Sequence, residues 1–298
     1  MKYRSIISAV LLLAAACQKE ADFVNPAEKP AEENKQATLT LQATKGEAET
    51  KALSLVPGTP DHLDAYWKNT EKVKVYKAGT LLGTLDVTPA AGVKPTSATL
   101  SGSISTNGLA VNDVLTLMIP REIVDYSGQV GTLASIETSY DYATASITVA
   151  SKNGNAITTT GGANFQNQQS IYRFGFKVGN GYINPKTFSV SAAGGLLVQS
   201  MSWSAGAWKP AFGILTVTPV SSPGDHFYYV SLRNDNTAAD TYSFVITGQD
   251  DALYLATKAI PADALSAPGK FISAKSITTT KANFAATSGD ISNPSEVL

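Results

Sequence analysis

The chain has little of what most catalytic or metal-binding proteins depend on. Among 298 residues there is one cysteine, Cys17, and there are two histidines, His62 and His226. One thiol excludes a disulfide within the chain, and one thiol with two scattered histidines cannot assemble a zinc motif. No G-x-S-x-G elbow is present to strain a nucleophilic serine, and no Gly-rich phosphate loop occurs. Each histidine sits beside an aspartate, Asp61 and Asp225, a common turn pairing. With 23 basic and 24 acidic residues the chain is near neutral, and no basic stripe offers a nucleic-acid surface. The longest apolar run, from Ile6 to Ala16, is shorter than the roughly 20 residues a membrane-spanning helix needs. A sustained helical stripe is also missing; the best short helical candidates are His62 to Lys68 and Pro261 to Ser266.

What the sequence does contain is period-two alternation. Leu39 and Leu41 alternate with threonines, and Val73 and Val75 with lysines. The same pattern marks Leu115, Leu117 and Ile119, then Ile147 and Val149. A second series starts with Tyr172, Phe174, Phe176 and Val178. It continues through Phe188 and Val190, Leu215 and Val217, Tyr228 to Leu232, and Tyr242, Phe244 and Ile246. Side chains two apart share a face, so each run reads as a half-buried strand. Turn clusters such as Asn107-Gly108, Asn153-Gly154 and Pro223-Gly224 separate them, which predicts an all-β protein of antiparallel sandwiches or barrels. The polar stretch 151–169 reads as the boundary between two domains, 37–165 and 166–298, in keeping with about 150 residues per domain.

The start of the chain has a different character. Lys2 and Arg4 precede the apolar run, which ends on three alanines before Cys17, the layout of an export signal over residues 1–16. With its cysteine the segment resembles the bacterial lipobox, Ala14 standing where leucine is usual. The resemblance implies acylation of Cys17, and several acyl chains make a durable membrane anchor. Gln18, Lys19 and Glu20 resemble the signal that directs Bacteroidota lipoproteins to the outer face of the outer membrane. Residues 17–36 are rich in Glu, Lys, Pro and Ala and read as a tether, with too few apolar groups to offset the entropy of ordering.

Taken in order, the mature chain resembles the fimbrillins, the subunits of Bacteroidota type V pili. Trp67 followed by EKVKVY resembles the family's tryptophan, Gly-Asp and alternating strand, with Thr70-Glu71 in place of Gly-Asp. YRFGFKV resembles the strand opening the second domain. FYYVSLRN and the stretch from YSFVITGQDD to FISAKSI resemble the closing region. The resemblance implies two tandem transthyretin-like β-sandwich domains, delivery to the cell surface as an outer membrane lipoprotein, and polymerisation with other pilin subunits. In that scheme a trypsin-like protease removes the first strand with its lipid, and another subunit's terminal strand fills the groove. Residues 37–43 are the expected first strand. Lys51, with Ala52 as the new N-terminus, is the expected cleavage site, and Lys45 the alternative.

Other readings rest on particular residues. An uncleaved chain would stay acylated and serve as a pilus anchor; a tip adhesin is a third role, with a host glycan or protein as receptor. Trp203 and Trp208 flank a Gly-containing turn and could stack on a sugar ring, which would suit a monomeric surface glycan-binding lipoprotein. Asp250 and Asp251 read as a hairpin turn rather than a catalytic pair. Asn234, Asp235, Asn236 and Asp240 could offer oxygens to calcium, but without the spacing of a dedicated loop. The chain is therefore not expected to be an enzyme, and neither cofactor nor resident metal is expected.

Overall fold

A computed structural model describes residues 36–45, 54–56, 59–119, 122–265, 269–273 and 276–282. These residues are all-β apart from two short helices, Leu133–Ser139 and Ala262–Leu265. None of the described helices is long and apolar enough to cross a membrane. Two hydrophobic clusters organise the packing.

The first cluster lies inside a closed sheet. The strand Gln36–Lys45 pairs with Ser97–Ser105 on one side and with Ala163–Asn167 on the other. The circuit continues through Ala143–Asn153, Val114–Ile119, Lys72–Lys77 and Thr80–Pro89, and returns to Ser97–Ser105. An eighth strand, Ala156–Thr160, adds to the first strand and to Ala143–Asn153. The alternating residues of the sequence point into this barrel: Leu39, Val73, Val75, Leu115, Leu117 and Val149 are fully buried. A sandwich was expected here, yet the described sheet closes on itself, because the first strand joins two edges that would otherwise be separate.

Those edges include the polar stretch 151–169. It reads as a boundary for its Asn, Gln and Thr content, but it forms the strands Ala156–Thr160 and Ala163–Asn167, each paired with the first strand and with Ala143–Asn153. Ile157, Ala163 and Phe165 face the barrel core while the polar residues between them face out. Three inward residues suffice for one buried face.

The second cluster is aromatic. Phe174, Phe176, Phe188 and Phe244 meet edge-on, with centroids 5.0 to 5.6 Å apart, a favourable arrangement of ring quadrupoles. The run from Tyr172 to Val178 is interrupted at Gly175. Ser170–Phe174 pairs with Tyr228–Leu232, while Phe176–Val178 pairs with Gly181–Ile183 and Ile277–Thr278. Val124, Tyr126, Ile136, Tyr140 and Tyr142, which precede residue 166 in sequence, pack in this second cluster. Residues 59–64, half of which fall in the first helical candidate, are a strand, whereas the second candidate does contain Ala262–Leu265. Leu133–Ser139 was not anticipated; Thr132 caps it by accepting the Ser135 N–H at 3.2 Å.

A glycine contact joins the barrel to the hairpin Val198–Ser204/Ala207–Phe212. Gly79 has φ +85°, and a Cβ there would stand 2.3 Å from the Gly206 nitrogen. Gly108 has φ +64° but open space around it. Substituting alanine at Gly108 should cost only the left-handed backbone penalty, about 1–2 kcal/mol. Gly79→Ala should cost a further 1–3 kcal/mol or so, because backbone must also move. Denaturant midpoints of the two variants measure the difference; equal losses would mean that the turns are not pressed together.

Candidate functional site

The first strand sits in a groove that it fills completely. Its residues alternate exposed and buried from Gln36 to Lys45, with Ala37, Leu39, Leu41, Ala43 and Lys45 facing inward. One rim is an unbroken antiparallel ladder with Ser97–Ser105, from Gln36 opposite Ser105 to Thr44 opposite Ser97. On the outer face Thr40 bonds Ser101 at 2.8 Å, Gln42 donates to Thr99 at 3.0 Å, and Ser103 donates to Gln36 at 2.7 Å. The other rim is parallel and shorter. Thr38 and Leu39 pair with Ala156 and Ile157, and Ala43 to Lys45 pair with Ala163 to Phe165. Between these two contacts the rim turns at Gly161-Gly162; a Cβ on Gly162 would meet the Gln42 carbonyl oxygen at 2.6 Å. The strand is thus paired on both sides, and its departure would open a slot rather than trim an edge.

The inward row ends on a charge. Lys45 is 4% exposed and Glu71 7%. The Lys45 ammonium donates to both Glu71 carboxylate oxygens at 3.1 Å and to the Tyr66 carbonyl at 2.6 Å. It also lies 4.4 Å from the centre of the Trp67 ring, within cation–π range. Glu71 accepts a further bond from the Lys68 N–H at 3.1 Å, and Trp67 meets Phe165 edge-on at 5.4 Å. Tryptophan, acid and first strand therefore meet at one end of the groove. The signal for this pair lay in parity: Lys45 continues the row of Ala37, Leu39, Leu41 and Ala43, and a charge on a buried face needs a partner. As a protease target in the folded chain Lys45 is poorly placed, since its side chain is enclosed and its backbone is in the ladder. Cys17, Lys51 and Ala52 lie outside the described residues.

The two tryptophans lie elsewhere. Trp203 and Trp208 are opposite one another on the hairpin, and both are half-buried. Their rings meet at 5.5 Å and 66°, so they share no flat platform for a sugar. Trp203 leans on Tyr76 and Trp208 on Tyr142, which makes the four rings a seam between hairpin and barrel. Tyr76 donates its hydroxyl to Glu122, which also pairs with Lys74 at 3.0 Å. Burial, followed by that bond, pushes the Tyr76 phenol far above its usual range.

His226, Asp225 and Asp240 have structural partners. His226 stacks on Tyr182 at 4.8 Å, and its Nδ1 lies 3.0 Å from Asn184, while Asp225 pairs with Arg173. Asp250 and Asp251 form the hairpin turn between Asp240–Gly248 and Leu253–Ile260. The Asp240 carboxylate takes bonds from the Gly194 and Thr241 N–H groups and from the Asn234 and Asn236 amides. Burial would raise its pKa, but these donors outweigh burial and hold it below the ordinary aspartate value. Its oxygens are thus engaged with N–H donors. Among the described residues no group of histidine, cysteine, aspartate and glutamate could hold a metal ion. An open cavity of about 300 Å³ adjoins this loop, lined among others by Gln169, Tyr172, Arg233 and Asp235; Arg233 and Asp235 pair with each other at 2.6 Å.

No protein-family model and no curated protein matches the chain. Solved structures do show similarity. A candidate cell adhesion protein from Bacteroides uniformis is 12% identical over 82% of this chain and 96% of that one, with a TM-score of 0.40. A fimbrial assembly protein from Parabacteroides distasonis is 9% identical over 84% and 100%, with a TM-score of 0.38. The tip fimbrial protein of Porphyromonas gingivalis, in a C-terminally truncated form, is 8% identical over 83% and 98%, with a TM-score of 0.36. By name these neighbours are adhesion and fimbrial proteins.

Proposed function

We propose that the chain is a structural subunit of a cell-surface fimbria, exported as a lipoprotein on Cys17 and built into the fibre by strand donation, in support of cell adhesion. One observation carries this reading: the first strand fills a two-rimmed groove with an inward row of apolar side chains. A strand paired only at one edge could leave without consequence, whereas this one closes the barrel. Once it is cut away, two rims of unpaired backbone and an apolar slot face solvent, which is the template for β-strand addition from another molecule. Cleavage after Lys51, leaving Ala52 first, would release the strand together with the acylated cysteine. Each hydrophobic cluster would correspond to one transthyretin-like unit, with outer membrane delivery preceding assembly. An uncleaved molecule, still acylated, would act as an anchor at the base.

Low-dose trypsin on the purified mature chain tests this. The expected result is a new N-terminus at Ala52 by mass spectrometry and end-to-end chains in electron micrographs. A cut product that stays monomeric at high concentration would reject polymer formation and favour an anchor.

A further inference from the structure

The inward row of the first strand is not uniformly apolar. It reads small, large, large, small, basic, and the basic residue meets a carboxylate fixed by the barrel itself. Glu71 belongs to the segment between Trp67 and the strand Lys72–Lys77, so it stays behind when the first strand leaves. Its position is held by the Lys68 N–H at 3.1 Å. With the groove open, water can reach Glu71; with the groove refilled, it is buried again. An incoming strand that brings a neutral or acidic side chain to that end would bury an uncompensated charge, a strongly unfavourable outcome. One that brings lysine or arginine restores the pair.

We infer that Glu71 selects the strand that fills the groove. The partner it fits is a β-segment of another fimbrial subunit. That segment places two large aliphatic side chains between small ones in alternate positions, with a lysine or arginine at the end beside Trp67. The inference rests on the strand-donation reading above and adds a charge criterion to it. It also bears on which molecule can donate. Residues 282–298 contain Asp290 and Glu296 and no lysine or arginine. A strand drawn from them leaves Glu71 unpaired. Lys281 is held on the short strand Thr280–Lys281, paired with Tyr254 and Leu255. The complementary strand is therefore not drawn from those residues. Mismatched charge at one buried position is an efficient way to reject wrong partners.

The test uses the full chain carrying a site-specific protease sequence within residues 46–53, cut so that the first strand can exchange. Fluorescent peptides of the sequence QATLTLQATK, ending in Lys, Arg, Gln or Glu, are offered to the nicked protein. Lysine and arginine peptides are expected to bind about tenfold or more tightly than the glutamine peptide, with the glutamate peptide weakest. In a Glu71→Gln chain the glutamine peptide should come within about twofold of the lysine peptide. Equal binding of all four peptides to the parent chain overturns the inference and leaves strand donation standing. The same holds if the preference persists unchanged in Glu71→Gln. Failure of every peptide to enter overturns the detachable-strand reading, and the charge criterion with it.

Discussion

Release of residues 36–45 is expected to remove most of the barrel's stability and to be reversed by the same segment added back as a free peptide. Leu39 and Leu41 are buried in the barrel core, and Ala37 and Ala43 flank them. At roughly 1.5–3 kcal/mol per leucine and 0.8 per methyl-sized group, the row contributes about 5–8 kcal/mol. The net hydrogen-bond gain of the ladder is offset by the entropy of ordering the strand, so the apolar row decides the balance. Whole domains are stable by only about 5–15 kcal/mol, so the emptied barrel should be marginal. The measurement is a denaturant titration of the cut protein before and after the strand is separated, with hydrogen exchange followed along Ser97–Ser105 and Ala156–Asn167. Protection should fall on both rims together, since the strand pairs with both. An unchanged midpoint, or loss on one rim alone, would mean that the strand is dispensable and the groove is not a socket.

Lys45→Met should cost about 3–5 kcal/mol, because it leaves Glu71 buried without its cation. The double variant Lys45→Met/Glu71→Met should recover much of that loss, since two apolar side chains of similar size need no desolvation of charge. The pair would then be a device for specifying the strand more than for stabilising the barrel. Thermal or denaturant unfolding of the two variants reads the coupling directly. If the single substitution is nearly neutral, or the double is no better than the single, the ion pair does not report on burial at this end of the groove. The same two variants bear on assembly: a double variant that is stable yet no longer discriminates between peptides would separate stability from selection.

Much of this fold was legible in the alternation. Leu39 and Leu41, Val73 and Val75, Leu115 and Leu117, and the alternating aromatics Tyr172, Phe174, Phe176, Phe188, Tyr242 and Phe244 all lie on buried faces as their period predicts. Alternation is local, because neighbouring side chains on an extended backbone must point to opposite sides. Which strand lies beside which is not local. The polar segment over 156–167 carried a boundary-like composition, and its role as the parallel rim of the groove depends on contacts with residues about 120 positions away. Trp203 and Trp208 illustrate the same limit: a tryptophan pair flanking a turn suits a sugar platform or a packing seam equally well until Tyr76 and Tyr142 are brought against it.

The sequence by itself determined that the chain is built of strands, that its one thiol can make no disulfide within it, and that its leading strand has one apolar face. These follow from residue type and spacing, and no fold is needed to state them. Only the tertiary structure decided that this strand closes a barrel, and that the lysine ending its apolar row meets an acid 26 residues away. A sheet closes through pairing between distant segments, and the partner of a buried charge is chosen by that closure; neither is written in any short stretch of chain.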